Sequence, residues 1–129
     1  MTVVLDASAV LALLFDEPGA AEVADAITDG AVISSVNLSE IATVLVRHGR
    51  DPASVLTPFV AQVGVEPFGD TDAYAAAALY SAFAAKGLSL GDRACLALAL
   101  RLDVPAVTAD HAWDGLPHGV VVRVIRMAR

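Results

Sequence analysis

Cysteine is almost missing: Cys95 is the only one in 129 residues. No disulfide can form within the chain, and a reducing compartment fits such a sequence. Basic residues are few. Lys86 is the sole lysine, and 8 Lys and Arg face 15 Asp and Glu, a net charge of −7. Phosphate backbones are normally held on a basic face, so either the acids serve metal ions or nucleic acid is not the ligand. Charges make up only 18% of the residues against 57% hydrophobic, which excludes a disordered chain. Charges nevertheless recur, as at Asp72 and Lys86, and keep every uncharged run well short of a membrane span. No basic region opens the N-terminus and Asp6 interrupts its apolar run, unlike a signal peptide. A cytoplasmic protein of one domain, residues 1–129, with a single substantial core is expected.

What is present is organised around Thr2-Val3-Val4-Leu5-Asp6-Ala7-Ser8. The β-branched run reads as a short buried strand, and Asp6 stands where it must stop. An apolar run from Ala9 to Leu14 starts a helix at once. In a parallel α/β sheet this junction lies at the carboxyl edge, where ligands bind.

The rest of the chain alternates in the same way. Pro18 is placed to open a second helix, Ala20 to about Asp29, which Gly30 ends. A strand at Ala31–Ser34 precedes a helix carrying Asn37-Leu38-Ser39-Glu40 and ending near His48-Gly49. Asp51-Pro52 begins another helix, and Val65–Phe68 is a weak strand whose Pro67 suits a sheet edge. An Ala-rich helix runs from Asp70 or Thr71 to Lys86, and Ser89-Leu90-Gly91-Asp92 begins one that reaches about Leu102. A strand at Val104–Thr108, a helical turn from Asp110 to Asp114 and a strand at Val120–Ile125 complete the pattern. This order predicts a three-layer α/β/α sandwich on a mostly parallel sheet of roughly five strands.

Right-handed crossovers bring Asp6, Glu40, Asp92 and Asp110 to one sheet edge. Each acid has an ordinary alternative. Asn37-x-x-Glu40 and Ser89-x-x-Asp92 have capping-box spacing, and Asp6 and Asp110 suit N-caps. Four acids at one edge repel one another, however, at a cost that Ser, Thr or Asn caps would not carry. A hard cation removes it. With no His or Cys in the set, oxygen ligands select Mg²⁺ or Mn²⁺ over Zn²⁺. Ser8 and Thr108, each two residues from a candidate acid, can hold a carboxylate by hydrogen bonding or simply cap. For Thr108 the structural role is expected.

Four segments then carry a resemblance: Val4-Leu5-Asp6-Ala7-Ser8, Asn37-Leu38-Ser39-Glu40, Leu88-Ser89-Leu90-Gly91-Asp92 with Leu96-Ala97-Leu98-Ala99, and Val107-Thr108-Ala109-Asp110 with Trp113. In this order, over nearly the whole chain, they resemble a PIN-domain ribonuclease of the VapC type, the toxin of bacterial toxin–antitoxin pairs. The resemblance implies metal-dependent endonucleolytic cleavage of RNA. It makes Asp6 and Asp92 the principal Mg²⁺ ligands, with Glu40 and Asp110 completing the site directly, through water, or by orienting the attacking water. It further implies a homodimer and a VapB-type antitoxin that places a basic side chain in the acidic pocket. Asp114 adds an acid one turn after Asp110, and Arg93, beside Asp92, is a candidate contact for RNA phosphate or an acid.

The rivals divide cleanly. A receiver domain needs a Lys after a late strand, and an aspartyl-phosphatase needs an Asp where Ser8 stands; both fail. A non-enzymatic acidic module that binds a basic partner peptide survives. The histidines His48, His111 and His118 lack zinc-site spacing.

Overall fold

Val3, Val4 and Leu5 form β1 (Val3–Leu5), and all three are buried. Their side chains alternate, as strand geometry demands. Val3 and Leu5 join one apolar cluster, and Val4 joins another on the opposite face. The computed structural model of the protein describes residues 2–83, 87–113 and 119–125.

After β1 come α1 (Ala7–Leu14), α2 (Ala20–Asp29), β2 (Ala31–Ser34), α3 (Ser35–Arg47), α4 (Pro52–Val60) and β3 (Gly64–Glu66). Then follow α5 (Asp70–Phe83), α6 (Leu90–Leu102), β4 (Ala106–Thr108), a 3-10 turn (His111–Trp113) and β5 (Val122–Val124). The described strands form one sheet in the order β3-β2-β1-β4-β5. Every pairing in it is parallel. β1 is therefore central, with β3 at one edge as Pro67 foretells.

The two clusters define the layers. On one face Ala9 and Val10 of α1, Val23 of α2, Ile41 and Leu45 of α3, and Leu56 and Phe59 of α4 pack on Val3, Leu5 and Ile33. On the other, Ala76 and Leu79 of α5 and Leu96 and Leu98 of α6 pack on Val4 and Ala106, with Trp113 completing the layer. The sandwich expected from the sequence is the architecture found. Each fully buried Leu or Ile stabilises it by roughly 1.5–3 kcal/mol. Of the small residues of α5, Ala76 is buried beside Leu79 against α6 and Ala75 packs at its edge, whereas Ala73, Ala77 and Ala78 are exposed.

Some local readings are corrected. Pro18 does not open α2; Gly19, at φ 95°, is its N-cap, a left-handed conformation that glycine adopts without strain. Asn37 does not cap α3. Ser34 ends β2 and accepts from Val36 N at 3.2 Å, so strand and helix adjoin without a loop. Asn37 thus lies inside the first turn, and Glu40 moves from the expected first turn into the second. The turn after β4 is 3-10. Asp114, His118 and the end of the Ala-rich helix at Lys86 lie outside the described residues.

Candidate active site

Asp6 is 4% exposed, yet it lies at the end of β1 and lines a cleft of about 210 Å³. The same cleft is lined by Glu40, Asp92 and Asp110, with Ser8 and Asn37. The expected convergence of the acids is found, through strand ends and helix starts that share the carboxyl edge. Their ordinary capping roles are found too. Asp6 caps α1 by accepting from Ala9 N at 2.8 Å. Asp92 and Ser89 form a full capping box on α6, with Ser89 N donating to Asp92 at 3.0 Å and Asp92 N to Ser89 Oγ at 3.1 Å. Asp110 accepts from Ala112 N at 2.9 Å. The two readings are not rivals: a capping carboxylate at a sheet edge is also an acid held beside a cleft.

Asp6 is the most constrained of the set. Ser8 Oγ donates to both its oxygens, at 2.8 and 2.9 Å, and Thr108 Oγ1 donates to one at 2.6 Å. Each hydroxyl has a single proton, so both are committed to Asp6 and the lone pairs are left to accept. Ala109 N donates to Ser8 Oγ at 2.9 Å, and Asp110 N to Thr108 Oγ1 at 3.0 Å. Ser8 and Thr108 thereby join Asp6 to the turn that carries Asp110. The expectation that Thr108 is merely structural is too narrow.

Burial pushes the Asp6 carboxyl up to about 6, against the hydrogen bonds from Thr108, Ala9 and Ser8 that favour its ionised form; the nearby Asp92 charge raises it further. Beneath the cleft lies Cys95. Burial pushes its thiol well above the ordinary range, and Asp6, Asp92 and Glu40 add to the effect. It is an inert core thiol.

Glu40 is held by Asn37, whose Nδ2 donates to Glu40 Oε1 at 2.9 Å and to the Gly91 carbonyl at 3.0 Å. Both partners are acceptors, so the amide nitrogen must face them and Oδ1 must face away. Buried and without a hydrogen-bond partner among the described residues, Oδ1 costs about 1–3 kcal/mol. Glu40 also lines a second, larger groove of about 700 Å³, with Ser39, Thr43, Arg47, Phe68 and Leu90.

The donor chemistry of the cleft suits a hard divalent cation: carboxylates and hydroxyls line it, and no His or Cys does. Among the described residues, no three His, Cys, Asp or Glu side chains converge as a ready-made cage. The four acids line the cleft, each held by its own local hydrogen bonds.

Arg93 does not serve the cleft. Its guanidinium donates to Leu88 O at 3.3 Å and Ala76 O at 3.1 Å and lies 5.2 Å from the centre of the Tyr80 ring, tying α6 to α5. His111 is exposed, and His48 ends α3, as its sequence position implies. Asn37 and Gly91, which surround the Glu40 carboxylate, are the residues of the site that sequence reasoning missed. For Gly91 a signal existed: a glycine inside a helical pattern often marks a close approach.

A parallel α/β sandwich with an acidic cleft at the carboxyl edge of its central strand defines a class of domain, and the sequence narrows it. Residues 3–118 match the PIN domain family, and the chain belongs to that family. Among solved structures it is similar to VapBC2 from Rickettsia felis bound to a promoter DNA fragment, with TM-score 0.80 and 15% identity over 98% of this chain and 100% of that one. DNA-bound VapBC from Salmonella typhimurium gives TM-score 0.74 and 17% identity over 96% and 98%. VapBC-5 from Mycobacterium tuberculosis gives 0.65 and 22% over 98% of each. These likenesses show a shared fold. No curated protein matches the sequence significantly.

Proposed function

We propose that the chain, one PIN domain over residues 1–129, is a VapC-type toxin that cleaves RNA with Mg²⁺ or Mn²⁺. The observation that carries this reading is the cleft itself: Asp6, Glu40, Asp92 and Asp110 line it from four different elements, in a chain of the PIN family. Asp6 and Asp92 would hold the ion. When bound, such a cation supplies positive charge to the scissile phosphate and acidifies water. Asp6 is kept in one rotamer by Ser8 and Thr108. Glu40, on the wall shared with the larger groove, is suited to accept a proton from the attacking water, and Asp110 to orient that water. Asp114, one turn after Asp110 in the sequence, is a further candidate to support this set. The larger groove, with Ser39, Thr43 and Arg47 among its lining, suits a single-stranded backbone, Arg47 meeting a phosphate.

The family and its VapBC-like fold support a VapB-type antitoxin as partner, with a basic side chain in the acidic cleft, and a homodimer as the assembled form. Among the described residues no helix is long and apolar enough to cross a membrane, and the cytoplasm is the proposed location.

The test is incubation of antitoxin-free protein with total RNA in Mg²⁺ or Mn²⁺, beside Asp6→Ala, Asp92→Ala and an EDTA control. Discrete fragments lost in both variants and with chelator are expected. Equal cleavage by wild type and variants would expose a contaminant and remove the acidic-site mechanism. Toxicity in cells that persists in Asp92→Ala would favour the rival reading, an acidic module that grips a basic partner without chemistry.

A further inference from the structure

Glu40 is the one acid of the cleft whose side chain is held by another side chain and by empty space. A Cβ at Gly91 would overlap all three atoms of the Glu40 carboxylate group. Gly91 lies in the first turn of α6, at a backbone conformation open to any residue, so the chain's own geometry does not demand glycine there. What needs the missing side chain is Glu40. Asn37 supplies the other half, donating through Nδ2 to Glu40 and to the Gly91 carbonyl at once. Its Oδ1 is meanwhile buried without a partner among the described residues. An isosteric Leu would leave no such orphan. A residue kept only to fill the α3–α6 contact would not be an amide.

We infer that Gly91 and Asn37 are a positioning pair that seats the Glu40 carboxylate in the cleft: Gly91 leaves the space, and Asn37 fixes the rotamer that fills it. The pair rests on the nuclease reading only for its purpose, not for its geometry. It separates site from fold in an unusual way. Gly91→Ala puts the better helix former in the first turn of α6. The group it displaces is the far end of a flexible side chain, so the helix is kept and Glu40 moves.

The experiment has two arms on the intact chain: wild type, Gly91→Ala, Asn37→Leu, Glu40→Ala and the double variant Gly91→Ala/Glu40→Ala. The first arm needs no metal or RNA. In a ¹⁵N–¹H correlation spectrum, the Asn37 side-chain amide of wild type should give slowly exchanging, well-separated protons. In Gly91→Ala the proton facing Glu40 should shift and exchange faster, as it should in Glu40→Ala, with melting temperature equal to or above wild type. An unchanged Asn37 amide in Gly91→Ala would overturn the inference, as would a lowered melting temperature with general spectral change. The second arm measures Mn²⁺ affinity by calorimetry. Gly91→Ala and Asn37→Leu should each weaken it by the same factor as Glu40→Ala, no more than about tenfold, because both act on the ion only through Glu40. In the double variant Gly91→Ala should add nothing to Glu40→Ala, because one residue acts through the other. Additive losses would overturn the pair. A wild type that binds no Mn²⁺ and cuts no RNA would defeat the nuclease reading, while the amide spectrum would still judge the positioning pair.

Discussion

Two buried aspartates in this molecule are kept in opposite ways. Asp72, on the side of α5 that faces α6, is 6% exposed and meets the Arg101 guanidinium at 3.0 Å; Arg101 also reaches Glu66 at 3.4 Å. Asp6 is 4% exposed and is surrounded by two hydroxyls, a backbone N–H and the charge of Asp92. The first carboxylate is neutralised from within the chain. The second is supplied with geometry but, among the described residues, no positive charge. A buried carboxylate in the scaffold is paired; one in the cleft is oriented and left for a charge from outside. That contrast, more than the number of acids, distinguishes a ligand site from a surface network.

Breaking each side should give effects of very different size. Asp92→Ala or Asp6→Ala is expected to reduce RNA cleavage by more than about a hundredfold, since even residues that only orient a metal ligand are worth about 10–100-fold. Gel assays against total RNA would read this. Asp72→Ala should leave cleavage intact, and an equal loss there would collapse the distinction.

The charge of Asp6 predicts a pH dependence of the metal-free protein. The folded state keeps the Asp6 proton up to pH about 6, whereas the unfolded chain releases it near 3.8. Between these values the unfolded state binds fewer protons, so stability falls as pH rises through the window. The loss across the whole window is about 3 kcal/mol, at roughly 1.4 kcal/mol for each pH unit between the two values. Asp6→Asn should abolish this slope and raise the melting temperature at pH 7 while leaving it unchanged near pH 3.5. Denaturant melts across pH with chelator present would show it. Mg²⁺ should stabilise wild type more at pH 7 than at pH 5, because ligation needs the deprotonated acid.

Thr108→Val and Ser8→Ala should each weaken Mn²⁺ binding by roughly 10-fold. Thr108→Val is expected to have the larger effect, since its hydrogen bond to Asp6 is the shorter. The smallest effect on the site belongs to the scaffold pair. Arg101→Ala should leave metal binding and cleavage unchanged and lower stability by about 1–3 kcal/mol, because it leaves the buried Asp72 carboxylate without its cation.

Much of this is legible in the sequence, because strand and helix punctuation is local. Val3–Leu5 with Asp6 at its end, Gly30 before β2, and Ser89-x-x-Asp92 all announce themselves by residue type and spacing. Handedness then carries the four acids to one edge. The failures have a common cause. Ser34 and Asn37 are both respectable caps, and which one closes α3 depends on β2 running directly into the helix, a tertiary fact. The roles of Asn37 and Gly91 concern contacts across 54 residues, which no local pattern records. Thr108 looks like an ordinary strand residue because its partner, Asp6, lies 102 positions away.

That last separation also bears on when the site comes into being. β1 is the middle of the sheet, and its Asp6 is completed by Thr108 on a neighbouring strand that is synthesised 102 residues later. Loop closure over such a distance is slow and comes late in folding. A chain that stops short of β4 has Asp6, Glu40 and Asp92 but lacks the Thr108 hydrogen bond to Asp6 and the fourth acid of the cleft, Asp110. Truncation before Ala106 should therefore abolish both Mn²⁺ binding and toxicity, although three of the four acids remain in the chain.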